Sequence, residues 1–352
     1  MLIDQIQSWL EQMHVHKGSD LHLRAGSPPM IRLLGELFPC AAEPLSNADL
    51  EAALLPMLSP MKREQYEQYH ECDFRWELPN LGYYRVNFFR TFDGIAAAFR
   101  EISFQIPEFS ALGLDEQLKR LALLPKGLVL ITGPTGSGKS TTLAAIVNHA
   151  NLQRRAHIIT IEDPIEYVYG PGLCMVSQRE VGVHTTTFAR ALRVALREDP
   201  DIIVVGEMRD LETTELAIQA AETGHLVFAT LHTESAAQTI DRMINMFPGD
   251  RQGLIRMTLA QSISSVLSVH LLNRTDGKNR VQAMEIMYAT PAIRNLIRDA
   301  RAYQIPSVLQ TNRSLGMRTM DMHLVDLCRG GIISRETALA NAVEPQELID
   351  QI

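Results

Sequence analysis

The segment Gly133-Pro134-Thr135-Gly136-Ser137-Gly138-Lys139-Ser140 follows the apolar run Leu128–Ile131 and leads into a stretch with helical patterning. In the spacing G-x-x-x-x-G-K-[ST], the glycines allow successive backbone N–H groups to turn towards a phosphate, the lysine neutralises the outer phosphate oxygens and the serine supplies an oxygen to Mg²⁺. With Thr141 beside it, the segment is the expected ATP site, and Mg²⁺ is the expected cofactor. Such a site needs an acid at the end of a second strand, and Asp201-Ile-Ile-Val-Val-Gly-Glu207 provides one. Glu207 can reach either the attacking water or the water shell of the metal, which makes it the first choice as general base.

A second acidic cluster, Glu162-Asp163-Pro164-Ile165-Glu166, closes the run His157–Ile161. Open α/β sheets bind ligands at the carboxyl ends of their strands, so one of these acids is expected to help hold Mg²⁺ or orient water. A further apolar strand, Leu226–Thr230, is bracketed by His225 and His232. Polar residues at a strand end can sense the γ-phosphate. No His and Cys spacing makes a metal-ligand set, and Cys40, Cys72, Cys174 and Cys328 stand apart as thiols of a reducing compartment.

The elements that must position these groups are legible as a change of period. Residues 2 to 15 space Leu2, Ile6, Trp9, Leu10 and Met13 as an amphipathic helix. Asp20–Arg24 and Ile31–Leu37 predict a β-hairpin across Gly26-Ser27-Pro28-Pro29. A helix capped by Ser46 follows, then strands over 73–76, 83–89 and 95–102. These make a small α+β domain over 1–105, joined by a Pro- and Gly-interrupted linker over 106–115 to a second domain over 116–352. There the strands 128–131, 157–161, 202–205 and 226–230 alternate with helices, which predicts an α/β domain with a mainly parallel sheet. From about Arg251 the pattern is chiefly helical.

At 352 residues, two domains are expected, and the 46% hydrophobic content is enough for packed cores. The net charge of −8 argues against a nucleic-acid translocase, which needs a basic face. No apolar run reaches the roughly 18 to 20 residues of a membrane span, so the expected location is cytoplasmic, with membrane contact through a partner.

The glycine-rich loop, Ile161–Tyr167, Ala195–Asp201, Gly206–Asp210 and the two-histidine strand occur in an order that resembles the ATPases of type II secretion and type IV pili. The resemblance implies a homo-hexamer in which an N-terminal PAS-like domain and a C-terminal RecA-like domain hold ATP. Carried over by position, Glu166 with Glu162 forms the Asp box, Glu207 the Walker B acid, and His225 with His232 the His box. Arg85 and Arg100 match positions that neutralise the γ-phosphate, often from a neighbouring subunit, and Arg242 is a weaker candidate. Glu166 and Glu207 are expected to reach Mg²⁺ through water.

Ala292-Ile293-Arg294-Asn295-Leu296-Ile297-Arg298, Gly18–Leu23 and Pro28-Pro29 resemble the pilus retraction members. That implies pilus disassembly and twitching motility, with an inner-membrane pilus platform protein as partner and no nucleic acid. Ala229 and His184 depart from the family pattern without touching the phosphate ligands. The competing readings are an extension or type II secretion ATPase, a RecA-like translocase, and a non-hydrolysing paralogue.

Overall fold

The computed structural model describes residues 2–33, 35–79, 81–102, 105–277 and 280–352. The chain divides into two compact units, Met1–Phe104 and Gln105–Ile352.

In the first unit, helix α1 (Leu2–Val15) buries Ile6, Trp9, Leu10 and Met13, the stripe that its spacing predicts. Strands β1 (Asp20–Arg24) and β2 (Met30–Leu33) pair antiparallel. The extended run expected over Ile31–Leu37 is instead two strands, because the chain reverses at Gly35 (φ 94°) and returns as β3 (Glu36–Pro39). A positive φ costs glycine nothing, so the break falls there. Helix α2 (Asn47–Leu54) starts at Ser46, whose hydroxyl accepts the Asp49 N–H at 3.1 Å. Helix α3 (Pro60–Tyr69) is capped in the same way by Ser59.

Strands β4 (Glu71–Leu78), β5 (Gly82–Thr91) and β6 (Gly94–Ile102) complete a sheet of order β3-β2-β1-β6-β5-β4. Alternation along β5 and β6 sends Tyr84, Val86, Phe88 and Phe99 into the core and leaves Arg85 and Arg100 exposed as direct cross-strand partners.

The second unit opens with short helix α4 (Lys119–Ala122), then β7 (Gly127–Thr132), α5 (Lys139–Gln153), β8 (His157–Glu162), β9 (Met175–Glu180), α6 (Phe188–Ala195), β10 (Ile202–Val205), α7 (Leu211–Glu222) and β11 (Leu226–Thr230). Helices α8 (Ala236–Asn245) and α9 (Gly249–Ser262) come next. The chiefly helical pattern expected beyond Arg251 fails at β12 (Ile263–Asn273) and β13 (Arg280–Tyr288). Ile263, Val266 and Leu267 carry a helix-like spacing, yet β12 pairs parallel with β7, and the sheet decides. Helices α10 (Pro291–Arg298), α11 (Ile305–Thr311), α12 (Met320–Arg329), α13 (Arg335–Asn341) and α14 (Pro345–Ile349) finish the chain.

The sheet order is β13-β12-β7-β11-β10-β8-β9, parallel throughout except for β13. Apart from the edge strand β9, its strands are largely buried, with one face packed mainly by α6 to α11 and the other by α4 and α5. This is the α/β architecture that the alternating pattern predicts.

Candidate nucleotide site

Four neighbouring parallel strands end side by side, and each releases a functional group at its carboxyl end. β7 runs into the glycine-rich loop, β11 into His232, β10 into Glu207, and β8 ends on Glu162. Hydrogen bonds continue the pairing past the strand ends. Gly206 N–H donates to the Ile161 carbonyl at 2.7 Å, Met208 N–H to Thr230 at 3.1 Å, and Leu231 N–H to Ile131 at 3.2 Å. The Thr230 hydroxyl donates to the Gly206 carbonyl and the Thr132 hydroxyl to that of Thr233. The loops bearing His232 and Glu207 are thus tied to rigid strands, which is what pre-organised chemistry requires.

Two glycines shape the loop by what they lack. A Cβ on Gly133 (φ 137°) would meet the Val269 carbonyl oxygen at 2.2 Å, and one on Gly138 (φ 92°) would meet Gln282 Nε2 at 2.5 Å. Only glycine satisfies both the backbone angle and the close approach to β12 and β13. Gly138 ends at the first turn of α5, whose free N–H groups and dipole favour an anion.

Lys139 is 8% exposed, and its ammonium donates to the carbonyls of Gly133 and Pro134, both at 2.8 Å. Burial pulls its pKa below the ordinary lysine value, while Glu207 and Glu166 act in the opposite direction. His232 stands between it and Glu207, because β11 lies between β7 and β10. Nδ1 of His232 is 3.5 Å from Lys139 Nζ, and Nε2 is 3.0 Å from Glu207 Oε1. A lysine ammonium only donates, so this arrangement puts the imidazole proton on Nε2, facing the carboxylate.

The other oxygen of Glu207 takes Arg209 at 2.7 Å. Burial pushes the Glu207 carboxyl up, but Arg209 and His232 outweigh it, and the pKa stays below the usual glutamate value. Glu207 is therefore a carboxylate at neutral pH.

Glu162 behaves differently. Protein packed around its carboxyl pushes its pKa up to about 7, against donation from Thr160 at 2.5 Å and Gln178 at 3.2 Å and from the Glu166 N–H. Those bonds commit Glu162 to holding the loop that carries Glu166. Burial also raises the phenol of Tyr167, a residue of that loop whose hydroxyl meets the Thr141 hydroxyl at 2.9 Å.

Two other sequence candidates of this unit, His225 and Arg242, are not brought to this cluster. His225 lies at the amino end of β11, five strand residues or about 17 Å away, with its imidazole on the Ala220 carbonyl at 3.0 Å. It has no place in the phosphate site of its own chain. Arg242 is exposed on α8, and among the described residues no ion pair joins it to the site. Arg85 lies 3.9 Å from Asp73, and Arg100 donates to the buried carboxylate of Asp20 at 2.8 Å. The apolar side of α10 is a packing face, since Ile293 and Ile297 are fully buried. Sequence reasoning missed Arg209 as a partner of Glu207, although it lies two residues further along the same quoted segment. It also missed Thr160 and Gln178.

Strand, glycine-rich loop and helix, with acids on neighbouring strand ends, form a cradle whose free N–H groups suit an anion. Residues 84–338 match the model of the type II/IV secretion system protein family, and the chain belongs to that family. A relative named as the type IV pilus retraction ATPase PilT of Pseudomonas aeruginosa is 50% identical over 93% of this chain and 95% of its own. A twitching motility protein of Neisseria gonorrhoeae is 46% identical over 91% of this chain and 86% of its own. Among solved structures, one described as the pilus retraction motor PilT with bound ADP superposes with a TM-score of 0.91 at 42% identity, covering 97% of this chain and 98% of that one. The resemblance to secretion and pilus ATPases is borne out, and so is the two-part α/β fold. No helix among the described residues is long and apolar enough to cross a membrane.

Proposed function

We propose that the chain is an ATP-hydrolysing motor that drives retraction of type IV pili. The observation that carries the chemistry is the line Lys139–His232–Glu207, built on three adjacent strand ends beside the glycine-rich loop. The relatives' names and the PilT superposition support the biological assignment.

The loop from Gly133 to Thr141 fits the phosphates. Its glycine backbone leaves the cradle open, and Lys139, now folded onto two carbonyls, has an ammonium to offer the β and γ oxygens. Mg²⁺ would be held by Ser140 and, through water, by Glu166 and Glu207, and it would neutralise charge on the β and γ oxygens. Glu207, kept ionised by Arg209 and His232, accepts the proton of the attacking water. His232, touching both Lys139 and Glu207, links the occupancy of the γ-phosphate position to the base. Arg85 and Arg100 act in an assembled homo-hexamer, on ATP held by a neighbouring subunit, and His225 and Arg242 have no part in the phosphate site of their own chain. The motor works in the cytoplasm against an inner-membrane pilus platform protein.

The test is complementation of a retraction-deficient, piliated strain with the parent chain and with Lys139→Ala, alongside ATP turnover of both purified proteins. The parent restores twitching and turns over ATP, and the variant does neither. Twitching restored by Lys139→Ala would overturn the assignment.

A further inference from the structure

Strand β9 contributes one side chain, Gln178, that no motif marks. It lies in register with Thr160 on β8, and both residues donate to the same oxygen of Glu162. The Gln178 carboxamide does more than this. Its nitrogen also donates to the Tyr167 carbonyl at 2.9 Å, and its oxygen accepts the Tyr169 N–H at 3.0 Å. Two acceptors and one backbone donor around a single amide fix which end is nitrogen and which is oxygen.

The segment these bonds grip is the one that carries Glu166. It is fastened a second time on its other side, where the Tyr167 hydroxyl meets Thr141, the neighbour of Ser140 in the first turn of α5. Immediately before these fastenings in the chain, Glu166 is held by its backbone N–H on Glu162. A loop would otherwise place an acid loosely, and an error of about 1 Å at such a group is enough to cost a large part of the rate.

We propose that Gln178 is a positioning residue for ATP hydrolysis, whose carboxamide pins the 163–169 segment, and with it Glu166, beside the start of α5. The proposal rests on the assignment of the glycine-rich loop as the ATP site. Gln178 touches neither phosphate nor water in this role. It is required for the rate of the chemical step and not for nucleotide affinity.

The test is one turnover of pre-bound labelled ATP, started by adding Mg²⁺ with an excess of unlabelled ATP, for the parent, Gln178→Met, Tyr167→Phe and Lys139→Ala. The amplitude counts competent sites, while the rate constant reads the chemistry in those that are filled. Gln178→Met is expected to bind ATP within about threefold of the parent and to lower the rate constant at least about tenfold. Tyr167→Phe, which cuts only the link to Thr141, should lower it less.

A loss of amplitude with an unchanged rate constant in Gln178→Met means a purely structural role and overturns the proposal. If Gln178→Met does not fold, Tyr167→Phe decides, and a parental rate constant there overturns it. Lys139→Ala separates the two levels. If that variant hydrolyses ATP at the parental rate, the site assignment fails, whereas a dead Lys139→Ala beside a normal Gln178→Met sinks the role of Gln178 alone.

Discussion

Nε2 of His232 stands 3.0 Å from Oε1 of Glu207, with Arg209 on the other carboxylate oxygen at 2.7 Å. A base held ionised from both sides is always ready to accept a proton, at the cost of some basicity. Glu207→Gln keeps the shape but cannot take the proton of the attacking water. ATP should bind that variant nearly as it binds the parent, while kcat falls by about 10² to 10⁴. Equilibrium binding beside phosphate release measures both, and parental turnover would move the base to Glu166.

Glu162 gives a stability test whose sign is fixed by its raised pKa. The folded protein binds this proton more tightly than the unfolded chain does. The favourable contribution is therefore complete below the ordinary glutamate value of 4.5 and is lost as pH rises through about 7. Glu162→Gln removes that dependence. In protein free of metal and nucleotide, the variant should gain on the parent between pH 4.5 and pH 8, by up to about 3 kcal/mol. Denaturant melts across that range decide it, and a difference that does not change with pH shows that the carboxyl is not held near 7.

Much of this site was legible because its parts lie at the ends of apolar strands, where a run such as Ile202–Val205 announces its own boundary. The glycine-rich loop, Glu207 and His232 were found that way. β9 was not, because it is the last strand on its side of the sheet, and Met175-Val-Ser-Gln-Arg-Glu180 shows no buried apolar run. Gln178 was invisible with it. β12 was read as helical because its spacing fits either period, and only its partner β7 settles the matter. His225 was carried over with His232 by the family resemblance, and the strand between them sets it at the opposite end of β11.

Arg85 and Arg100 face each other across β5 and β6, but they differ in what they leave behind when removed. Arg100 is the partner of Asp20, whose side chain is 8% exposed, and Arg100→Ala strands that carboxylate. Burial raises the Asp20 carboxyl, and Arg100 with Ser19 more than reverses this. Arg85 sits 3.9 Å from an exposed Asp73, a pair worth little. Arg85→Ala is therefore the cleaner probe of a role in trans. Subunits carrying Arg85→Ala mixed with Lys139→Ala subunits should regain turnover above both parents, since some interfaces combine one sound half from each. Mixed assembly confirmed by mass, with no gain in turnover, counts against the role.

Helix α10 separates packing from any work it does for the pilus. Ile293 and Ile297 are fully buried, so Ile293→Ala should cost about 2 to 4 kcal/mol. That lowers Tm by roughly 5 to 15 °C for a unit of this size, and it says nothing about coupling. Arg294 is also structural, because its guanidinium donates to the carbonyls of Ala260 and Gln261 at the end of α9. The outward residues Ala292, Asn295 and Arg298 are exposed, and Asn295→Ala with Arg298→Ala should change stability by no more than about 0.5 kcal/mol each. If α10 transmits ATP-driven motion, this double variant stays folded and hydrolyses ATP at the parental rate. Cells carrying it then keep surface pili that do not retract. Twitching assays beside purified turnover make the comparison, and normal twitching by the double variant removes α10 from the coupling path.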